Sequence, residues 1–392
     1  MLRRLTLLLT LHAGAALAYP WMVKHQVAGC AACHVDPSGA GQLTAFGRME
    51  SERLVRWSPT PVTPGPTPNT RFLWFLELPE AVNLSGNLRY GAMVTPGAPK
   101  LVAPLEMATD LSATFSVDRL VVHATAGFGR KDVVAPAIVA PRCEPSADGE
   151  CGPSFVARTW WLGLKAFDGA ALVRGGRLAL PFGLRNNEHF SWVRTLTLTD
   201  TNVNQKLGAA LSFTSGPLRG EVMAIAGATL PSAQETGYSA LLEYAAEPTL
   251  TLGASSLLAS RLETRQAHGL FLRWAPRPAL AVLAEADLLG WTGAGDRFGY
   301  AALAQADWEP VPGLHVMLTA ESAHRGTGQQ GPSLGAWASV CWYFFSHFEL
   351  RVDNVVRRVD AGAPPLVRAR RPAASVPVDE LHADVGSGVR RA

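Results

Sequence analysis

The chain has 392 residues and a formal net charge of +3, and only 17% of its residues are Asp, Glu, Lys or Arg. Its length allows two domains, and its slight positive charge argues against nucleic acid as a partner. No segment after the N-terminus offers the roughly eighteen consecutive apolar residues of a transmembrane helix.

The first eighteen residues have the pattern of a cleavable secretory signal. Arg3 and Arg4 precede an apolar run that begins at Leu5 and ends at Ala18, directly before Tyr19. That run is too short to span a bilayer and closes on small residues. We therefore predict that residues 1–18 are removed and that the mature chain leaves the cytoplasm.

The motif Cys30-Ala-Ala-Cys33-His34 predicts a covalently attached c-type haem. Two thiols at this spacing reach the two vinyl groups on one edge of a porphyrin, and the next imidazole can ligate the iron. The alternative is a redox or half-zinc C-x-x-C motif, but the sequence shows neither a second ligand pair nor a βαβ context. We predict attachment through Cys30 and Cys33, with His34 as the proximal iron ligand.

The distal ligand has several candidates. Those inside the haem segment are His25, Met22 and Met49, and those further along the chain are His123, His315 and His347. We favour His25 because it is the only other imidazole in the segment. A His ligand there gives a lower potential than a Met ligand. The alternative is that His25 only caps or solvates the segment.

The remaining cysteines predict no further redox site. Cys143 and Cys151 bracket a polar segment, and in an oxidising compartment they favour a disulfide that closes a loop tip. Cys341 lies in an apolar strand, where a buried thiol behaves as a small apolar residue.

Strict two-residue alternation recurs through most of the chain after residue 71. Glu349, Arg351 and Asp353 alternate with Phe348 and Leu350, and Asn83 to Tyr90, Val282 to Leu288 and Leu314 to Glu321 follow the same pattern. A strand of this kind separates water from hydrocarbon. The sequence therefore predicts many strands with one polar and one apolar face.

The turns between these strands are asymmetric. Proline-rich tight turns follow Trp274 and Trp308, whereas the intervening loops are longer and polar. Trp274, Trp308 and Trp342 are 34 residues apart, each where a strand enters a tight turn. These features are typical of an outer-membrane barrel with an aromatic rim. A soluble propeller is the alternative, but its inner strands are apolar on both faces.

The predicted fold is all-β, a transmembrane antiparallel barrel of about 16 strands over residues 71–392. One of these strands is expected near Val376 to Val385. Residues 19–57 form a short, mainly helical or loop monohaem cytochrome segment, and residues 58–70, with five prolines, form a stiff linker. About forty residues are too few to enclose a porphyrin alone. We expect this segment to plug the lumen or its mouth.

An arginine-rich cluster lies between residues 174 and 194. It contains Arg174, Arg177, Arg185, Glu188, His189 and Arg194. One interpretation is a charged constriction that positions haem propionates or screens ions. The other, which we favour, is a set of inward-facing arginines that hydrate a wide barrel.

The layout resembles the fused cytochrome-porin family, which is typified by outer-membrane iron oxidases of bacteria that respire on ferrous iron. The resemblance is carried by Gly29 to His34, by Leu43 to Arg48 and by the barrel pattern that follows. It implies a Gram-negative outer-membrane protein that takes electrons from an extracellular donor, such as Fe(II), onto one haem. Periplasmic electron-carrier cytochromes would receive them.

The chain departs from that family in two places. Val35 to Gly39 lacks the additional His that iron-oxidase members carry shortly after the motif, and the chain ends in Ala392 instead of a terminal aromatic residue. Two other functions therefore stay open, a diffusion porin in which the haem segment is mainly a plug and a soluble periplasmic haem protein with a β-domain.

Overall fold

The structure is a computed structural model of the whole chain. It describes residues 6–13, 20–27, 29–55, 57, 72, 76–94, 102–130, 153–186, 191–201, 204–229, 234–293, 296–326, 331–345 and 348–359. The predicted linker at 58–70, the Cys143–Cys151 pair and the predicted strand at 376–385 lie outside these residues.

The elements are short and mixed before residue 55 and almost entirely strands after it. In chain order they are β1 (Thr6–Ala13), a 3₁₀ helix (Pro20–His25), α1 (Cys30–Cys33), β2 (His34–Asp36), β3 (Ala40–Leu43), α2 (Ala45–Leu54), β4 (Val82–Val94), β5 (Val102–Val117), β6 (Leu120–Arg130), β7 (Pro153–Ala166), a second 3₁₀ helix (Phe167–Gly169), β8 (Ala171–Leu178), α3 (Trp192–Thr195), β9 (Lys206–Ser215), β10 (Leu218–Gly227), β11 (Thr236–Glu247), β12 (Leu250–Ser260), β13 (Thr264–Arg277), β14 (Leu280–Thr292), β15 (Arg297–Val311), β16 (Leu314–His324), β17 (Ser333–Phe345) and β18 (Phe348–Arg358).

Strands β4 to β18 form one continuous antiparallel sheet in which each strand pairs with its neighbours in the chain. This confirms the predicted all-β antiparallel architecture. Within residues 82–358 the sheet has fifteen strands. The prediction of about sixteen is met only when β1 is included, because β1 pairs with both edges and completes a closed barrel.

Strand β1 comes from the segment that the sequence predicts to be a signal peptide. It is antiparallel to both β4 and β18, with Leu9 opposite Ala92 on one side and Val352 on the other. Because fifteen is odd, the two edges run in the same direction and an extended segment between them satisfies both sets of backbone groups. In a processed chain this strand is absent. The seam, which is the place where the edges β4 and β18 meet or are bridged by another strand, therefore depends on signal cleavage, which stays a prediction.

The two faces of the barrel wall differ sharply in polarity. On β14, Leu288 points outward with 69% exposure, whereas its neighbour Asp287 points inward with 1% exposure. The predicted alternation is confirmed on β18, where Glu349, Arg351 and Asp353 are all buried on the lumen side. An apolar outer face and a polar inner face are the pattern of a barrel surrounded by lipid.

The tight turns lie at one end of the barrel and the longer loops at the other. Trp274, Trp308 and Trp342 are exposed at the tight-turn end, where each lies opposite a residue that begins or nearly begins a neighbouring strand. The predicted aromatic rim is therefore present. Among the described residues, no helix has both the length and the apolar character needed to cross a bilayer.

Two segments fill the inside of the barrel. The first, here called the plug, comprises the described residues from Pro20 to Trp57, and its first helix contacts β13 and β14. The second, here called the inward loop, comprises the described residues between β8 and β9 and includes α3, which contacts β14 to β16. The plug lies toward the tight turns, and the inward loop lies toward the longer loops.

Candidate functional site

The C-x-x-C-H motif forms a compact unit within the plug. Cys30 and Cys33 are the first and last residues of α1, a single helical turn, so both thiols lie on one face. Both are buried, and neither forms a disulfide. His34 follows in extended conformation and is also buried, with 2% exposure. The fold therefore brings the three predicted haem-binding side chains together inside the barrel.

The second half of the resemblance motif, Leu43 to Arg48, holds α1 in place. The Thr44 hydroxyl caps α2 by accepting a hydrogen bond from the Gly47 amide at 3.0 Å, and it lies 2.9 Å from the Ala32 carbonyl oxygen. Gly47 lets the two helices touch, because a Cβ there would stand 2.2 Å from the Cys33 carbonyl oxygen. Thr44 and Gly47 thus both support the contact between α1 and α2.

The electrostatics of the motif do not match those of a reactive cysteine. Burial, the neighbouring Cys30 and Glu50 raise the pKa of Cys33 to about 12. Reactive and thioredoxin-like cysteines have a lowered pKa, since the thiolate is the nucleophile. This argues against the redox-dithiol alternative for the C-x-x-C motif.

The donor set fits a haem c. Two unpaired thiols on one helical face supply the atoms for two thioether bonds, and the imidazole that follows is a proper iron ligand. Gly39 keeps the space beside Cys30 open, since a Cβ there would stand 2.8 Å from the Cys30 Cβ. Both thiols are buried, and Sγ of Cys30 accepts a hydrogen bond from Arg273 on the wall strand β13.

The three distal-ligand candidates in the plug lie in different surroundings. His25 ends the 3₁₀ helix, and its Nε2 lies 3.2 Å from Oε2 of Glu309 on the barrel wall. Met22 is buried in an apolar cluster with Val55 and Met317. Met49 is half-buried on α2. The assignment of His25 as the distal ligand stays a prediction.

The wall histidines already have hydrogen-bond partners. His123 lies 2.9 Å from the Thr114 hydroxyl through Nδ1 and 3.2 Å from Thr125 through Nε2. Nδ1 of His315 lies 3.0 Å from Asp307. His347 lies outside the described residues. Coordination by His123 would cost it the hydrogen bond at Nδ1 or those at Nε2, where the Thr159 hydroxyl also lies within 3.3 Å.

Buried ion pairs fix the start of the plug to the wall. Lys24 lies 2.6 Å from Asp307 and 2.8 Å from Glu309, and Trp21 packs against His315 with ring centroids 4.1 Å apart. The side chains of Lys24, Asp307 and His315 are fully buried. Buried charges of this kind are costly unless they are paired, so these ion pairs specify one position of the plug against the wall.

A second ionic contact fixes the segment after the haem motif. Nη1 of Arg174 on β8 lies 2.7 Å from Oδ1 of Asp36, and the same guanidinium pairs with Glu221. Burial raises the pKa of Asp36, but the charge of Arg174 and hydrogen bonds from Ser38 and Arg174 outweigh it and hold the pKa below its usual value. Asp36 is therefore an anion anchored to the wall.

Arginines also surround the first thiol. Nη1 of Arg273 donates to Sγ of Cys30 at 3.3 Å, and Arg273 and Arg219 both pair with Glu243. Arg185, from the inward loop, donates from Nε to the Ser38 carbonyl oxygen at 2.8 Å. This last contact joins the inward loop to the plug beside Cys30.

The inward loop is bonded to the lumen wall along its length. Arg194 pairs with Glu285, which also accepts a hydrogen bond from the Leu184 amide at 3.0 Å. The Trp192 amide donates to Glu321 at 2.8 Å. The loop is therefore a fixed part of the lumen interior and lies over the plug.

The expectation that the arginine-rich cluster hydrates a wide lumen is wrong for its four described members. Arg174, Arg177, Arg185 and Arg194 are all buried and bonded to protein groups, and Glu188 and His189 lie outside the described residues. The residues that sequence reasoning missed are the anchors Lys24 and Asp36. The available signal was a charged residue in a segment of about forty residues that was expected to plug the lumen. A charge that becomes buried there needs a partner elsewhere in the chain.

Comparisons with known proteins support the barrel fold. No protein-family model matches the sequence, and no curated protein matches it at a significant level. Among solved structures, OmpT, expressed in the outer membrane of Vibrio cholerae, is 10% identical with a TM-score of 0.51, over 72% of this chain and 99% of that chain. Pseudomonas aeruginosa OccK7 is 10% identical with a TM-score of 0.39, over 72% of this chain and 88% of that chain.

At 10% identity the likeness to OmpT shows the fold alone. The chain therefore has a porin-like β-barrel fold. The barrel part of the predicted resemblance is supported, whereas the fused cytochrome segment and the iron-oxidase relationship stay predictions.

Proposed function

We propose that the chain is a porin-type barrel of the bacterial outer membrane whose lumen is occupied by its own plug. The observation that carries this proposal is the polarity of the wall, with Leu288 exposed outward and Asp287 buried inward on the same strand. Such a wall requires lipid outside, and its aromatic rim suits a membrane interface. The similarity of fold to an outer-membrane protein supports the porin role more directly than it supports a role in electron transfer.

As a porin, the barrel would admit only solutes that pass between the plug, the inward loop and the wall. The lumen is lined by paired charges such as Arg194 with Glu285 and Arg219 with Glu243. These fixed charges favour small polar solutes over apolar ones.

The porin role is tested by location and conductance. We expect the protein in the outer-membrane fraction, with heat-modifiable gel migration, and a small conductance in planar bilayers. A variant that lacks residues 20–57 should conduct several-fold more current. Recovery as a soluble protein without detergent would contradict both the membrane location and the porin role.

A second candidate function is electron transfer through one covalently bound haem c. It is supported by the burial of Cys30, Cys33 and His34 side by side within the plug. Cys30 and Cys33 would hold the group, His34 would ligate its iron, and His25 is the favoured distal ligand. The bound group would supply one-electron redox chemistry.

The protein would then position and insulate that group. The wall and the inward loop keep bulk water from the motif, and a dry site tunes the potential of an enclosed haem. The resemblance implies an extracellular donor such as Fe(II) and periplasmic cytochromes as acceptors. In this role the plug and the inward loop keep solutes out while electrons pass.

Haem attachment and electron entry are tested separately. Haem staining after denaturing electrophoresis should be positive for the wild type and negative for the C30S/C33S double variant. Reduction of the haem in intact protein by added Fe(II) would support the electron-transfer role. A wild-type protein without a Soret band would exclude it and leave the porin role standing.

A further inference from the structure

Asp287 is a buried carboxylate without a hydrogen-bond partner among the described residues. It points into the lumen from β14, and neither Oδ1 nor Oδ2 has a donor within reach. Ala301 lies directly opposite it on β15 and is fully buried, so the neighbouring strand offers no polar side chain at this level. A buried carboxylate is costly unless its charge is compensated.

The strand on the other side leaves an open space next to this carboxylate. Gly269 on β13 lies opposite Asp287, and Ser255 on β12 lies opposite Gly269. A Cβ on Gly269 would stand 2.0 Å from Oδ1 of Asp287 and 3.1 Å from Oγ of Ser255. The position that a side chain on Gly269 would fill is therefore bordered by an oxygen atom from each flanking strand.

The hydroxyl of Ser255 points to a ligand in this space independently of the carboxylate. Ser255 is only 6% exposed, and its Oγ has no hydrogen-bond partner, although buried hydroxyls are normally bonded. Glu285, two residues before Asp287 on the same strand, interacts with the Asp287 side chain and has an unbonded Oε1. Four oxygen atoms of three buried side chains thus lack a hydrogen-bond partner.

One negative charge in this group is left over. Arg194 pairs with Oε2 of Glu285 and so balances one of the two carboxylates. Arg185 also acts on Glu285, but its described hydrogen bonds go to two backbone carbonyl oxygens. Within the described part of the chain, Asp287 therefore has no cation of its own.

We propose that Asp287, Glu285 and Ser255 bind one small monovalent cation, of the size and charge of Na⁺, in the space over Gly269. Carboxylate and hydroxyl oxygens are suitable ligands for a hard cation, and a single charge balances the excess carboxylate. Among the described residues, no group of three or more His, Cys, Asp or Glu side chains is placed to hold a metal ion, which argues against a tight transition-metal site. The cation site goes beyond the porin and haem roles and depends on neither.

Thermal unfolding at controlled sodium concentration tests the site. Full-length protein in non-ionic detergent is heated at mildly alkaline pH, where protons compete least, and tryptophan fluorescence reports unfolding. NaCl replaces tetramethylammonium chloride at constant total salt, so that ionic strength stays fixed. Tetramethylammonium presents only methyl groups to the oxygen atoms and cannot substitute for the metal ion. The wild-type midpoint should rise by several degrees and then level off, as it does for a ligand that binds only the folded state.

Substitutions of the ligands should change this response in opposite ways from a control. D287N removes the excess charge, so its midpoint should not respond to Na⁺ and, without Na⁺, should equal or exceed that of the wild type. S255A should shift the response to several-fold higher Na⁺ concentration. D353N is the matched control, because Asp353 is also a buried carboxylate on the lumen side but pairs with Arg351, and it should respond like the wild type.

G269A tests the space itself without removing a ligand. The new Cβ would displace the carboxylate end of Asp287, which is flexible, so the barrel should still fold while the Na⁺ response is lost. G175A is the control for this variant, because a Cβ on Gly175 of β8 meets nothing within 4 Å.

Two results would overturn the proposal. If the wild-type midpoint does not depend on Na⁺ but falls as the pH is raised, a proton shared by Glu285 and Asp287 occupies the site and not a metal ion. If D287N and D353N respond equally to Na⁺, the ion binds elsewhere on the protein. Absence of haem from the wild type, or absence of conductance, leaves this test unchanged.

Discussion

Nη1 of Arg174 on the barrel wall lies 2.7 Å from Oδ1 of Asp36, two residues after the C-x-x-C-H motif. Both side chains are buried, and Arg174 is held on its other side by Glu221. A buried pair stabilises a docked segment chiefly because breaking it leaves a charge without a partner. The Asp36–Arg174 pair is therefore one of the contacts that hold the C-x-x-C-H motif in the lumen, together with the contacts of Lys24 with Asp307 and Glu309.

Replacement of Asp36 by alanine should loosen the plug. Loss of one partner of a buried pair costs about 3–5 kcal/mol. Amide hydrogen exchange in residues 29–55 should therefore rise by roughly two orders of magnitude or more, measured by mass spectrometry. R53Q is the control, because Arg53 pairs with Glu50 at an exposed position and such pairs contribute at most about 1 kcal/mol. Equal protection in both variants would show that the Asp36–Arg174 pair does not anchor the plug.

Replacement of Gly47 by alanine should prevent haem attachment. The new Cβ would stand 2.2 Å from the Cys33 carbonyl oxygen, so α1 and α2 must separate and the two thiols leave their shared position. We expect loss of haem staining with little change in barrel assembly, because Gly47 lies in the plug and not in the wall.

Gly29 provides a matched control for that experiment. It is the N-cap residue of α1, its φ of −122° suits any residue, and a Cβ there meets nothing within 4 Å. G29A should stain for haem like the wild type. If G47A also stains normally, the close contact between α1 and α2 is not needed for attachment.

The sequence predicts the local features of this fold better than the distant ones. Alternation along β18 follows from the two-residue period of a strand, and the chemistry of Cys30 and His34 follows from adjacent residues. The partner of Lys24 could not be predicted, because Asp307 lies 283 residues away and many wall positions carry an inward acid. The inward loop was not predicted for the same reason, since the wall partners of Arg194 and Trp192, Glu285 and Glu321, lie 91 and 129 residues away.

Replacement of Leu288 by arginine should impair insertion of the barrel. Leu288 faces outward near the middle of β14, and an arginine on the lipid face at the bilayer midplane costs about 2–4 kcal/mol. Folding into lipid vesicles, followed by heat-modifiable migration, should shift toward the unfolded form. Leu262, which is 89% exposed in the turn between β12 and β13, is the control, and L262R should fold normally. Normal folding of L288R would argue against lipid at this face.

Signal cleavage should bring the two edges of the sheet together. The intact mass of the mature protein should correspond to a chain that begins at Tyr19 and therefore lacks β1. Ala92 on β4 and Val352 on β18 both lie opposite Leu9, so with β1 between them they are about 9–10 Å apart, two strand spacings. A disulfide requires Cα atoms within about 7 Å.

Cysteines at these two positions report the state of the seam. In the processed A92C/V352C variant we expect a disulfide, because an unpaired strand edge cannot be solvated in hydrocarbon and each edge is then the nearest partner for the other. L9C/V352C, with residues directly opposite, is the positive control for a chain that keeps β1. A processed protein in which A92C/V352C stays reduced under oxidising conditions would show that another strand occupies the seam.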